Sequence, residues 1–339
     1  MKQYLWLLLG MITAACSQTQ DRSELKKIKF EGEAQGTYYA VTYFAADTLV
    51  SQPAIDSLLD AFNLCASIYE PKSIISAFNR NDSVVVADSM FTEIFEASQK
   101  ASEITGGAFD ITVGQVVNAW GFGFKNRENV TPAMIDSLLP LTGYQKVRLE
   151  NGRLIKEDPR IMIDFNAVAQ GYSVDLLAGF LEKRGISIYL IDIGGEVKGK
   201  GKKPDGQHWV VAIEKPTEDM YSERELQAKL HLADRSLATS GSYRKYYEEG
   251  GVRYSHTIDP STGYPVKHNM LSVSVIAGDC MTADIYATAF MVMGLERTRD
   301  FLQKNQGAGL EVYCIYSTDK GMETWISPGF EQLLLRDQP

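Results

Sequence analysis

The sequence predicts a mixed α+β fold, with largely antiparallel sheets and packed helices, and three observations carry that reading. Segments of helical and strand periodicity follow one another irregularly along the 339 residues, not in a repeated strand–helix unit. Several connections read as hairpins. The glycine turns at strand ends, Gly36, Gly171, Gly194-Gly195 and Gly241, form neither a phosphate-binding loop nor a spaced GxGxxG, so a doubly wound parallel sheet is not indicated.

The chain opens with Lys2, an apolar run over 4–12, and the small residues Thr13, Ala14 and Ala15 ahead of Cys16. The run is too short to span a bilayer and has the shape of an export signal. Small residues directly before Cys16 resemble a bacterial lipobox, with Thr13 where Leu is usual; the plainer alternative is a cleaved signal followed by a chance cysteine. The expected organisation is a signal peptide over 1–15, a polar tether over 16–28 with Cys16 lipidated, and one domain over 29–335.

Within that domain, Tyr39, Val41 and Tyr43 alternate after Gly36-Thr37, which predicts a strand or hairpin arm over 29–44. Apolar residues at Ile55, Leu58, Leu59, Phe62 and Cys65 have helical spacing and predict a helix over 53–66. A second amphipathic helix over 89–105 stops at Gly106-Gly107. A short helix spans 132–139, and Asn151-Gly152 centres a hairpin over 147–155. The run 161–165 reads as a strand leading into a helix over 172–184, and 188–193 as a buried strand. The runs 210–213 and 228–232 form a strand pair, and 254–258 is a further strand before the tight turn over 259–263. A strand over 271–277 precedes a helix opened by Asp279 or Thr282. A helix over 295–304 and a strand over 310–317 complete the chain.

Composition narrows the function. Lys plus Arg number 34 against 43 Asp plus Glu, a net charge of -9, which argues against general electrostatic binding of nucleic acid. Beyond Cys16, the cysteines Cys65, Cys280 and Cys314 are too few and too far apart for a disulfide framework and read as buried thiols.

Candidate chemistry concentrates in three places. Asp284 and Thr288 are four residues apart near a helix start, so a carboxylate and a hydroxyl share one face. Such a pair suits a hard cation such as magnesium, which needs one or two carboxylates plus substrate phosphates. It equally suits a first-turn dipole partner beside a packed threonine. Aromatics interleave with glycine from Ala119 through Trp120 and Gly121 to Phe124, which fits either close approach to a flat ring or a core loop. His256 is a lone histidine before Asp259-Pro260.

Taken in order, the segments Gly36-Thr-Tyr38, Tyr69 with Ser73-Ile-Ile-Ser76 through Asn79, Gly106-Gly-Ala-Phe-Asp110 and Ala119-Trp-Gly-Phe122 resemble one family. So do Asp164 through Asp175, Ile193-Gly-Gly195, Ala238-Thr-Ser-Gly241, His256 through Gly263, and Thr282 through Thr288. The family is that of the ApbE-type FAD:protein FMN transferases, and the resemblance spans about 30–330. It implies a T-fold-related architecture and a lipid-anchored or secreted enzyme facing the periplasm. It implies transfer of FMN from FAD to a Thr or Ser hydroxyl of an acceptor protein, such as a periplasmic-side subunit of a respiratory redox complex, with magnesium as cofactor and AMP released. By the same resemblance Asp284, Thr288 and the Ala167 carbonyl would hold the metal. Asp164 and Gln170 would line the adenosine part of FAD, and Gln35, Tyr69, Ala119, Trp120, Gly121 and Ile258 would contact it. His256 would be the base for the acceptor hydroxyl. This chain departs from the pattern with Ile74 or Ile75, where Glu is frequent, and with Gln170, where Lys or Glu is common. An FAD pyrophosphatase giving FMN and AMP, or an FAD-binding lipoprotein without chemistry, would carry much of the same sequence.

Overall fold

The computed structural model describes residues 24–122, 130–217, 225–242, 246–249, 252–255 and 257–335. Its centre is an eight-stranded sheet in the order β1-β2-β5-β6-β9-β14-β15-β16, with every neighbouring pair antiparallel. Those strands are β1 (Lys26–Ala34), β2 (Thr37–Ala45), β5 (Tyr189–Ile193), β6 (Glu196–Lys200), β9 (Arg235–Gly241), β14 (Met270–Ala277), β15 (Glu311–Thr318) and β16 (Gly321–Ile326). Four two-stranded hairpins surround the sheet: β3 (Val147–Glu150) with β4 (Arg153–Lys156), β7 (Trp209–Glu214) with β8 (Leu226–Leu232), β10 (Tyr246–Glu249) with β11 (Val252–Ser255), and β12 (Ile258–Asp259) with β13 (Tyr264–Pro265).

Strand alternation divides the sheet into two covered faces. On one, Tyr189, Ile191 and Ile193 of β5 and Val41 and Tyr43 of β2 meet α1 (Gln52–Ala66) and α6 (Ala169–Glu182). Further along that face, Val273, Val275 and Ala277 of β14 meet Ala287, Phe290 and Met291 of α7 (Cys280–Lys304). On the other face, Ile276 and Leu237 meet Leu230 and Leu232 of the β7–β8 hairpin and Phe330 of α8 (Pro328–Glu331). Beside the helical layer lies a second core. There α2 (Ile74–Asn79) and α3 (Ser89–Ile104) pack Ile75, Phe78, Phe91, Ile94 and Phe95 against Ile163, Phe165 and Tyr172. Two short helices, α4 (Gly114–Ala119) and α5 (Pro132–Leu138), flank it. Cys65, Cys280 and Cys314 are buried free thiols, as expected.

Four expectations are corrected. The run 161–165 is not a strand. Ile161, Ile163 and Phe165 are fully buried, and the Asn79 side-chain amide takes both backbone groups of Ile163: its Nδ2 donates to the carbonyl at 2.8 Å and its Oδ1 accepts the N–H at 2.9 Å. A side chain thus replaces the neighbouring strand. The run 254–258 is divided, because β11 ends at Ser255 and β12 begins at Ile258. The helices expected after Asp279 and over 295–304 are one element, α7, broken at Gly294 with φ 75° and ψ 175°. Strand β1 starts at Lys26, so Lys26, Lys27 and Ile28 belong to the sheet and not to the tether. Strands β6, β9 and β16 have no counterpart in the sequence reading.

Candidate functional site

Asp279 opens α7, its carboxylate accepting from Thr282 N–H at 2.7 Å. One turn on, Asp284 is buried against the first turn of α6, and its Oδ2 accepts from Gly171 N–H at 3.0 Å. The approach is so close that a methyl group on Gly171 would overlap the Cys280 carbonyl and lie 2.7 Å from Asp284 Cβ. Burial pushes the Asp284 carboxyl up to about 7, with the Gly171 N–H opposing. Thr288 lies one turn further along α7, its hydroxyl 3.3 Å from that of Ser240 on β9. Ala167 lies in the turn that leads into α6, four residues ahead of Gly171.

A second part of the site forms where the β1–β2 turn meets the β5–β6 turn. Gln35 and Gly36 have φ of 54° and 72°. Both polar atoms of the Gln35 side chain are buried without a hydrogen-bond partner among the described residues. A groove of about 610 Å³ runs beside them, lined by Glu33 through Tyr38 and by Asn63. Opposite, Gly194 has φ 64°, and a methyl group there would stand 2.6 Å from Gln170 Nε2 and 2.8 Å from Thr37 Cγ2. Gln170 therefore crosses the glycine turn. Asp192 ties that turn to β2, accepting from Gly195 N–H at 3.0 Å and from the Tyr38 hydroxyl at 3.1 Å.

Asp164 is buried, accepts from Asn166 N–H at 2.7 Å, and is pushed up to about 6 by burial. The exposed Tyr69 neighbours it: burial and the Asp164 carboxylate raise the phenol pKa, and a side-chain hydrogen bond with Asn166 opposes them. Trp120 is buried, not displayed. Its Nε1 donates to Gly263 O at 2.8 Å and its ring stands 5.8 Å from that of Tyr264. Ala119 is buried beside it, Gly121 has φ 78°, and Ile258 joins Trp120 in a small apolar cluster with Val116 and Ile135.

By these contacts the expected residues fall into four local groups: Asp284 and Thr288 on α7, with Ala167 in the turn before α6; Gln35 and Gln170 at the glycine turns; Asp164 with Tyr69; and Ala119, Trp120 and Gly121 with Ile258. His256 and Cys16 lie outside the described residues. Sequence reasoning missed the Gly171 amide and the Ser240 hydroxyl as partners of Asp284 and Thr288. Gly171, read from sequence as a turn glycine ahead of the helix, lies inside the first turn of α6, where alanine would be favoured by about 1 kcal/mol.

The donor set fits a hard cation. A carboxylate buried against a neutral amide is electrostatically incomplete, and hydroxyl oxygens stand beside it. Among the described residues no three His, Cys, Asp or Glu gather in a zinc-like cluster. The partnerless Gln35 amide is the matching observation for a polar ligand at the β1–β2 turn.

The family model described as the ApbE family matches residues 35–314. A protein of Vibrio cholerae serotype O1 named FAD:protein FMN transferase is 37% identical over 333 residues, 96% of this chain and 96% of its own. One of the same name from Haemophilus influenzae is 35% identical over 343 residues, 96% and 98% of the two chains. Among solved structures, the flavin transferase ApbE from Vibrio cholerae superposes with a TM-score of 0.81 at 35% identity, covering 91% of this chain and all of that one. The Pseudomonas stutzeri flavinyl transferase ApbE, in its apo form, gives 0.80 at 31% identity, over 91% and 97%. Sheet and helical layer are therefore those of the flavin-transferase class of fold. Within that class, this chain belongs to the ApbE family.

Proposed function

We propose that this protein is a magnesium-dependent FAD:protein FMN transferase that esterifies a Thr or Ser hydroxyl of an acceptor protein and releases AMP. The flavin-transferase part of this reading rests on family membership. The metal-dependent part rests on one observation: the buried Asp284 carboxylate, compensated by a neutral amide, with the Thr288 and Ser240 hydroxyls on the adjoining turn and strand.

Asp284, Thr288 and the Ala167 carbonyl would hold magnesium, which would supply charge neutralisation for phosphoryl transfer. Gln35, with its partnerless amide, and Gln170, laid across Gly194, would orient FAD along the β1–β2 turn. Asp164 and Tyr69 would border the adenosine, and Ala119, Trp120, Gly121 and Ile258 would wall the cofactor site. His256 would accept the proton of the acceptor hydroxyl as its oxygen bonds to the FMN phosphorus. The bond between that phosphorus and the bridging oxygen breaks, and AMP leaves with that oxygen. General-base help of this kind is worth roughly a hundred- to ten-thousand-fold.

The setting we propose is the periplasmic side of a bacterial membrane, with a lipid on Cys16 as anchor and a respiratory redox subunit as acceptor. The lipobox resemblance supports the anchor, and among the described residues no helix is long and apolar enough to cross a membrane.

The test is AMP release from FAD and magnesium with and without an acceptor protein. AMP and acceptor-bound flavin are expected in equal amounts, and only with acceptor. Release without acceptor makes the protein an FAD pyrophosphatase, and binding without release makes it a carrier. Asp284→Ala is expected to lower the rate at least a hundredfold, and Thr288→Val less, since a neutral hydroxyl is a poorer ligand than a carboxylate. Full activity of the Asp284 variant would sink the metal assignment.

A further inference from the structure

Helices α6 and α7 are joined at two points one turn apart. At the first, Gly171 N–H donates to Asp284. At the second, Asp175 Oδ2 accepts from both Cys280 N–H and Met281 N–H at 2.8 Å. From Gly171 to Asp175 the chain advances one turn along α6, while the partners step back from Asp284 to Cys280 along α7. The two helices are therefore antiparallel at this contact, and the two points fix how far one has slid and turned on the other. The other carboxylate oxygen of Asp175 is held by Lys198 Nζ of β6 at 2.7 Å.

A helix start leaves N–H groups without intrahelical partners. In α7 Thr282 N–H is bonded by the Asp279 side chain and Ala283 N–H by the Asp279 carbonyl. The remaining two, of Cys280 and Met281, are those taken by Asp175. The turn that presents Asp284 is thus suspended from a carboxylate on another helix, itself tied to the central sheet.

We infer that Asp175 is a positioning residue for the magnesium site: by bonding the first two amides of α7 it sets where Asp284 stands. This rests on the function proposed above. Asp175 has no contact with the metal in this reading. It acts as outer partners of metal ligands do, where loss costs 10- to 100-fold in affinity.

Magnesium binding by calorimetry on the full chain, with the rise in melting temperature that magnesium produces, tests this. Asp175→Ala is expected to weaken magnesium binding 10- to 100-fold and to shrink the magnesium-dependent rise. FMN transfer at saturating magnesium should recover most of its rate. Asp175→Asn keeps an oxygen for both amides but gives up the bond from Lys198, and is expected to bind magnesium more tightly than the Ala variant. A residue that merely supports the fold would lower melting equally with and without magnesium and leave the affinity alone; that result overturns the inference, as does an Asn variant as weak as the Ala variant. Should Asp175→Ala not fold, Asp175→Glu displaces the acceptor by one methylene and is expected to weaken binding several-fold; unchanged binding there overturns the inference too. If the unaltered protein binds no magnesium, the metal part of the proposed function fails along with it. If the unaltered protein binds and the Ala variant binds equally, this inference alone fails.

Discussion

Asp164 is a carboxylate held where ionisation is costly. Burial raises its pKa from the usual range to about 6. A carboxyl raised on folding favours the folded state while protonated, so that contribution is complete below about pH 4, the unfolded value, and is lost as pH rises through about 6. Asp164→Asn should therefore stabilise the ligand-free protein above pH 6 by on the order of 2 to 3 kcal/mol and leave stability unchanged below pH 4. Urea unfolding at pH 7.5 and pH 4 checks this; equal effects at both would show that the gain is not electrostatic. The protein tolerates the cost at a position expected to face FAD. Residue types at such positions are legible in sequence: Asp164, Asp284 and Gln35 could be singled out from their motifs. Their electrical state could not, because it depends on burial by residues far away in the chain.

At the scale of elements, α6 and α7 show how a single missing side chain sets packing. Alanine favours a helix over glycine by about 1 kcal/mol. At Gly171 that gain is outweighed, because a methyl would run into the Cys280 carbonyl, a backbone atom that cannot swing aside. Overpacking of this kind costs roughly 1 to 3 kcal/mol. Gly171→Ala is expected to lower stability by about that amount and to weaken magnesium binding, read by denaturant unfolding and calorimetry. A stabilised variant with unchanged binding would show that the helices part freely. Helices with clear periodicity were legible, as α1 and α3 show. The 161–165 run was misread because a buried extended segment has the same apolar pattern whether a strand or the Asn79 side chain satisfies its backbone. Strands β6 and β9 escaped because polar and small residues, Lys198, Gly199, Thr239 and Ser240, break the apolar alternation within them.

For the whole molecule, the sequence supported the class of fold but not its strand order. That order depends on pairings such as β2 with β5 and β6 with β9, which join segments far apart in the chain. The export and anchoring signals lie outside this architecture and are testable by themselves. Cys16→Ser is expected to abolish acylation and release the protein from membranes while leaving FAD-dependent AMP formation unchanged in solution. Acyl chains on the variant would refute the lipobox reading.

The hydrogen bond between Gly171 and Asp284 spans 113 residues of chain. Closing so long a loop has an entropic cost, which grows only slowly with its length. The order of synthesis then becomes an order of competence. A chain emerging from its N-terminus has α6 and the glycine turns early, but the carboxylate proposed for the metal arrives only with the last fifth of the sequence. A chain ended before Asp284 lacks the carboxylate proposed to hold magnesium. Chains ended before Asp279 should bind no magnesium at this site, which calorimetry on such shortened proteins would reveal. In the proposed reading, competence to bind the metal therefore comes late in synthesis.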